Sequence, residues 1–169
     1  DTPNAMTRPM IEIRGLRKAF QGQEILRGVD MIVPEGVVTA IIGKSGEGKS
    51  VLLKHIIGLL QQDAGEILFQ GQSLSAMSRP ERRAFRRRLS YMFQSMALFD
   101  SMSVFDNIAL PLRETERQPE PEVAARVTAM AERLDLSGIL AKFPAQISGG
   151  MQKRVALARA LVTEPHLIL

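Results

Sequence analysis

The stretch GKSGEGKS, residues 43–50, decides how the chain is read. It fits G-x-x-x-x-G-K-[ST]. It stands between the apolar run VVTAII (37–42) and KSVLLKHIIGLL (49–60), whose apolar residues recur at helical spacing. A short apolar run bounded by glycines suits a strand buried on both faces of a parallel sheet. Gly46 and Gly48 let the backbone curl so that successive N–H groups converge on one anion. The helix start that follows adds partial positive charge. In this arrangement Gly43, Lys44, Ser45, Gly46, Glu47, Gly48, Lys49, Ser50 and Val51 form a phosphate cradle. Lys49 reaches the β- and γ-phosphates of a nucleotide, and the Ser50 hydroxyl takes a place on Mg²⁺. Glu47 is the odd letter, a carboxylate inside an anion-binding loop. Because the loop binds through backbone donors, its side chain is expected to point outward.

The 169 residues around this loop are 45% apolar and 24% charged, which suits a soluble domain with a substantial core. No apolar run approaches the ~20 residues of a transmembrane helix, and the first residues lack the plan of a secretory signal. Cysteine is absent, which excludes disulfides and thiolate–metal sites and fits a reducing cytosol. A net charge of +4 permits an acidic partner without identifying one.

Alternation along the chain predicts an α/β fold. MIEIRG (10–15), residues 24–36, 37–42, GEILFQG (65–71) and SYMFQ (90–94) read as strands. Residues 78–89 read as a helix: Ser78 and Glu81 have capping-box spacing, and Phe85 and Leu89 form an apolar stripe. Beyond residue 94 the periodicity turns helical over 104–112, 120–136 and 149–162, before HLIL (166–169) returns to a strand pattern. Glu120 and Glu122 open the second of these helices, where acids complement its dipole. The polar link RETERQPEPE (113–122) reads as the most flexible segment. Residues 10–94 then form the first part of a core carrying the loop, 95–148 a helical subdomain, and 149–169 a helix leading into a final strand.

A second motif narrows the setting. ISGGMQKRVALARAL (147–161) resembles the signature of ABC-type ATPases, usually LSGGQ followed by a basic, Ala-rich helix. Ser148 is a good N-cap, and Gly149 and Gly150 leave N–H groups bare at a helix start, a second anion site. The resemblance runs from about Met10 to Leu169. It implies a P-loop NTPase fold of ABC type, a RecA-like core with an antiparallel β edge plus an inserted helical subdomain. It also implies ATP and Mg²⁺ as cofactors. Ser148, Gly149, Gly150 and Met151 would contact the γ-phosphate held by the P-loop of a second copy of the subunit. Gln94 matches the family's Q-loop glutamine, a contact to Mg²⁺ or the attacking water. Phe20, in LRKAFQGQEIL, occupies the place of the aromatic that stacks on adenine; a core aromatic is the alternative. Met151 departs from the family, which has Gln there. The acids that order Mg²⁺ and polarise water would follow Leu169 in the family. The C-terminal part of the core is therefore expected to be missing, with no catalytic base in these residues and Gln94 only auxiliary. His55 and His166 are read as structural.

The resemblance also implies partners. The segment from Gln94 to Glu114, rich in Met, Phe and Leu, lies where the family docks an integral membrane permease, and some of it also suits a subdomain core. FQSMALFDSMSVFDNIALPLRE and SGGM look like the Mla-type ATPases, which work with a permease and an MCE-domain protein in lipid trafficking across Gram-negative envelopes. The function implied is an ATP-binding transport subunit, peripheral at the cytoplasmic face of the inner membrane, acting on lipid or hydrophobic compounds. An importer of amino acids or ions is the alternative, and a soluble ABC ATPase acting on nucleic acid is a second. Arg82, Arg83, Arg86, Arg87 and Arg88 would form one basic face. A solvated surface or contact with anionic headgroups suits it. Without interleaved aromatics, no nucleic-acid partner is expected.

Overall fold

The computed structural model describes residues 9–92 and 95–169. Gln94 lies outside them. The chain divides into two compact units, residues 1–86 and 87–169.

The first unit is built on a long hairpin. Strands β1 (Pro9–Phe20) and β2 (Gln23–Pro34) pair antiparallel, joined at Gln21 and Gly22 with φ of 50° and 81°. Two consecutive left-handed residues give the turn whose twist matches that of the flanking strands. The strands expected at 10–15 and 24–36 are thus halves of one ribbon. Helix α1 (Lys49–Ile56) follows the Gly-rich loop. It stops short of residue 60 because Gly58, at φ 72°, takes the left-handed place after the last turn. Gly58 N–H donates to His55 O and Leu59 N–H to Lys54 O, which closes a Schellman motif. Strand β3 (Ala64–Phe69) lies antiparallel to β1 on its other side, and β4 (Gln72–Ser73) turns back along it. The sheet order is β2-β1-β3-β4. Ile11, Ile13, Leu16, Ile56 and Ile67 are fully buried. Helix α2 (Arg79–Arg87) buries only Phe85, whose ring meets Phe69 edge-on with centroids 4.8 Å apart.

One expected strand does not form in this unit. Residues 37–42 form no strand ladder, and Val38 and Ile42 are 99% and 93% exposed. An apolar run becomes a strand only when a neighbour supplies its hydrogen bonds, and among the described residues none does.

In the second unit β5 (Leu89–Ser90) pairs parallel with β6 (Leu167–Ile168). Helices α3 (Val104–Pro111), α4 (Glu120–Arg133) and α5 (Gly149–Leu161) enclose a core that includes the fully buried Val104, Ile108, Leu112, Val123, Val127 and Val155. The link expected to be flexible is ordered. Residues Leu112–Glu116 form a π-helical turn, and Arg113 Nη1 donates to Asp106 Oδ1 at 2.8 Å. Arg113 also grips both oxygens of Glu120, at 2.7 and 2.9 Å. The bidentate fork fixes both ends of the link at once.

Candidate functional site

The Gly-rich loop enters α1 through Gly48, at φ 88°, with Gly46 at φ 84°. Both conformations suit glycine. At Gly48 the space is closed as well: an added Cβ would lie 3.0 Å from the Ile25 side chain and 3.1 Å from Leu26. The loop is therefore pressed against β2. The first helical hydrogen bond runs from Leu52 N–H to Gly48 O, so the N–H groups of Lys49, Ser50 and Val51 have no acceptor within the helix. No acid occupies the first turn of α1. The result is a helix start whose donors and dipole suit an anion, and the residues present fit a nucleotide phosphate.

The charged side chains of the loop are engaged with the loop itself. Lys49 Nζ donates to the carbonyls of Gly43 at 2.6 Å and Lys44 at 2.5 Å. Glu47 does not turn outward as expected from the sequence. Its Oε2 accepts the Lys44 N–H at 2.7 Å, while Glu47 N–H donates back to Lys44 O at 3.4 Å. The reciprocal pair closes a short turn that a side chain pointing outward would leave open.

Phe20 sits at the end of β1, 41% exposed, with Lys18 Nζ 5.5 Å from its ring centre. It is a surface aromatic rather than a core one. Asp63 fixes this end of the hairpin: one oxygen accepts from Lys18 Nζ and the other from Ala19 N–H, each at 2.7 Å. The hydrogen bonds from Lys18 and Ala19 hold the Asp63 carboxyl below the usual carboxylate range. No pattern in the sequence pointed to Asp63, because its partners are more than forty residues away. Among the described residues no cluster of His, Cys, Asp and Glu could hold a metal ion. Ser50, exposed in the first turn of α1, is the candidate Mg²⁺ contact there.

In the second unit Ser148 caps α5, its hydroxyl accepting from Met151 N–H at 3.3 Å. Gly149 and Gly150 are exposed in the first turn, which again holds no acid. Met151 rests against the core of its unit. Further along α5, Arg159 donates to Met96 O at 2.7 Å and Ala97 O at 2.8 Å. Met96 and Ala97 both have positive φ, 61° and 43°. Burial lowers the pKa of Arg159 from its ordinary value. Beside this clamp, Met92, Met96, Phe99, Leu110, Pro111 and Ala160 help line a cavity of about 410 Å³. Phe99 is held in turn by Asn107, fully buried, whose Oδ1 accepts from Phe99 N–H at 2.9 Å. Asn107 Nδ2 faces the carbonyls of Phe99, Met102 and Ser103 at 3.0–3.2 Å.

The sequence model of the family described as "ABC transporter" matches residues 26–169. The chain belongs to the ABC transporter family. It is 43% identical over 159 residues to the probable ribonucleotide transport ATP-binding protein mkl of Mycobacterium leprae, covering 94% of this chain and 46% of that protein. It is 42% identical over 160 residues to the intermembrane phospholipid transport system ATP-binding protein MlaF of Escherichia coli K12, covering 95% and 60%. The chain thus spans roughly half the length of the curated relatives it matches. Among solved structures, cbiO1 of Clostridium perfringens, part of the ABC transporter complex cbiONQ, superposes with a TM-score of 0.84. The two are 30% identical over 95% of this chain and 64% of that one. The fold is the ABC nucleotide-binding fold, with mixed helices and an antiparallel sheet.

Proposed function

We propose that this chain is the nucleotide-binding part of the ATP-binding subunit of an ABC transporter, and that the system moves lipid or another hydrophobic compound. The observation that carries the reading is the construction of two acid-free helix starts, one after Gly48 and one capped by Ser148. In the first, the loop N–H groups and Lys49 hold the β- and γ-phosphates of ATP, and Ser50 meets Mg²⁺. Bound Mg²⁺ supplies charge neutralisation at the phosphates. Phe20, exposed beside Lys18, offers a face for adenine. The second start, Ser148 to Met151, completes the site on a second copy of the subunit, and Gln94 serves as the Q-loop contact. Residues 10–94, 95–148 and 149–169 are the corresponding divisions of the chain.

The cavity beside Met96 and Phe99 is the proposed seat of the permease, within the segment from Gln94 to Glu114. Its methionines and aromatics suit an apolar helix of a partner. Among the described residues no helix is long and apolar enough to cross a membrane, so this docking would give the subunit its place at the cytoplasmic face of the inner membrane. The likeness to MlaF, named for an intermembrane phospholipid transport system, supports a lipid system; an MCE-domain protein is a further component of the proposal.

Nucleotide binding is tested by titrating the purified protein with a fluorescent ATP analogue and Mg²⁺. Lys49→Ala should weaken binding at least tenfold; equal affinity in the variant would remove the loop from the reading. Affinity purification from the native membrane should recover a polytopic permease with bound lipid. Recovery with an amino-acid or ion importer would replace the lipid assignment and keep the rest.

A further inference from the structure

Glu47 has a task that its charge alone does not disclose. Its carboxylate lies directly over Gly43: a Cβ added to Gly43 would fall 2.7 Å from Glu47 Oε2 and 3.8 Å from Lys49 Cδ. The side chain therefore occupies the space that the first glycine of the loop leaves empty, and takes the Lys44 N–H for itself. At the same time Lys49 is spent on the carbonyls of Gly43 and Lys44. The loop's one anion and its nucleotide-binding cation are thus both satisfied by two consecutive peptide units. Carboxylate and phosphate oxygens seek the same kind of partner, a backbone N–H in a concave turn.

We infer that Glu47 is an affinity-determining residue of this loop, an internal anion that competes with the nucleotide phosphates. This rests on reading residues 43–51 as a nucleotide site. An arriving polyphosphate must draw Lys49 from its carbonyls, and it meets a fixed negative charge while doing so. The carboxylate either leaves the Lys44 N–H or stays and repels, and each course weakens binding relative to an uncharged side chain. Shape and charge separate by substitution. Glu47→Gln keeps an oxygen able to accept from Lys44 and removes the charge; Glu47→Ala removes both. Glu47 is exposed on the loop, so neither change disturbs a core.

The test compares wild type, Glu47→Gln, Glu47→Ala and Lys49→Ala by equilibrium titration with the same fluorescent ATP analogue and Mg²⁺. Amide hydrogen exchange of the 43–48 loop is followed without nucleotide. Glu47→Gln should bind about tenfold more tightly than wild type, and Glu47→Ala at least as tightly. Exchange at Lys44 should quicken in Glu47→Ala and stay near wild type in Glu47→Gln. Wild type that binds no nucleotide overturns the reading of the loop, and this inference with it. Wild-type binding lost in Lys49→Ala but unchanged or weaker in both Glu47 variants overturns the competing role alone; weaker binding in both would show that the carboxylate preorganises the cradle instead.

Discussion

Replacing Asn107 with Ala should destabilise the second unit far more than the loss of one polar side chain suggests. The side chain is fully buried and makes contacts at 2.9, 3.0, 3.1 and 3.2 Å to Phe99 N–H and to the carbonyls of Ser103, Phe99 and Met102. An amide nitrogen has only two hydrogens, so the three carbonyls share two donations, and the sum is about three hydrogen bonds. At roughly 1 kcal/mol net for each, the change costs about 3 kcal/mol, with unsatisfied backbone groups adding and water at the loop surface subtracting. With a urea slope of about 2 kcal/mol/M, the midpoint of unfolding should fall by roughly 1.5 M. Urea denaturation followed by far-UV circular dichroism reads this. Asn107→Asp is the sharper comparison. It retains the acceptor for Phe99 N–H, loses both donations and sets a negative charge against three carbonyl oxygens. It should therefore be less stable than the Ala variant at neutral pH. An Ala variant within about 0.5 kcal/mol of wild type, or an Asp variant more stable than Ala, would refute the reasoning.

Three other outcomes follow from single contacts. Gly65→Ala should cost about 2–4 kcal/mol in the same assay, because Gly65 has φ 87° and an added Cβ would overlap the Gly15 carbonyl, a backbone atom that cannot swing away. Asp63 has a folded pKa below its unfolded value of about 3.9, so the stability it gives is present above that value and lost as pH falls through the lowered one. Amide exchange at Ala19 should accordingly quicken below about pH 4 in wild type, and in Asp63→Ala, which removes the acceptor, it should be fast and show no such step. Arg159→Ala should raise exchange throughout residues 95–99 with α5 still helical; unchanged protection there would show that the loop holds itself.

The two helix starts were legible because their causes are local. Gly46 and Gly48 announce left-handed backbone, Ser148 announces a cap, and the absence of acids in both first turns can be read letter by letter. The hairpin was legible only in pieces, since register and length depend on which residues across the turn find partners. Residues 37–42 show the limit most clearly. Their apolar letters say that side chains seek burial, yet say nothing of which neighbour would supply a ladder. Glu47 shows another limit: sequence gives a charge and leaves the rotamer open. For Asn107 the partners are several backbone groups, and backbone groups carry no letter of their own; for Asp63 they are one lysine and one backbone N–H more than forty residues away. Arg113 turned a polar link containing two prolines into an ordered turn through carboxylates seven residues to either side, beyond the i+3 and i+4 reach within which side-chain pairs on one helix meet directly.

The turn at Met96 and Ala97 is, finally, a shape on loan. Left-handed backbone costs a residue with a side chain on the order of 1–2 kcal/mol, and here two such residues stand in succession without a glycine. What holds them is a guanidinium from α5, gripping both carbonyls. Arg159 stands ten residues beyond Gly149 on that helix, about 15 Å along a rod of helical backbone. The left-handed curvature of the surface loop is thus tied, through one side chain, to the helix that begins at Gly149.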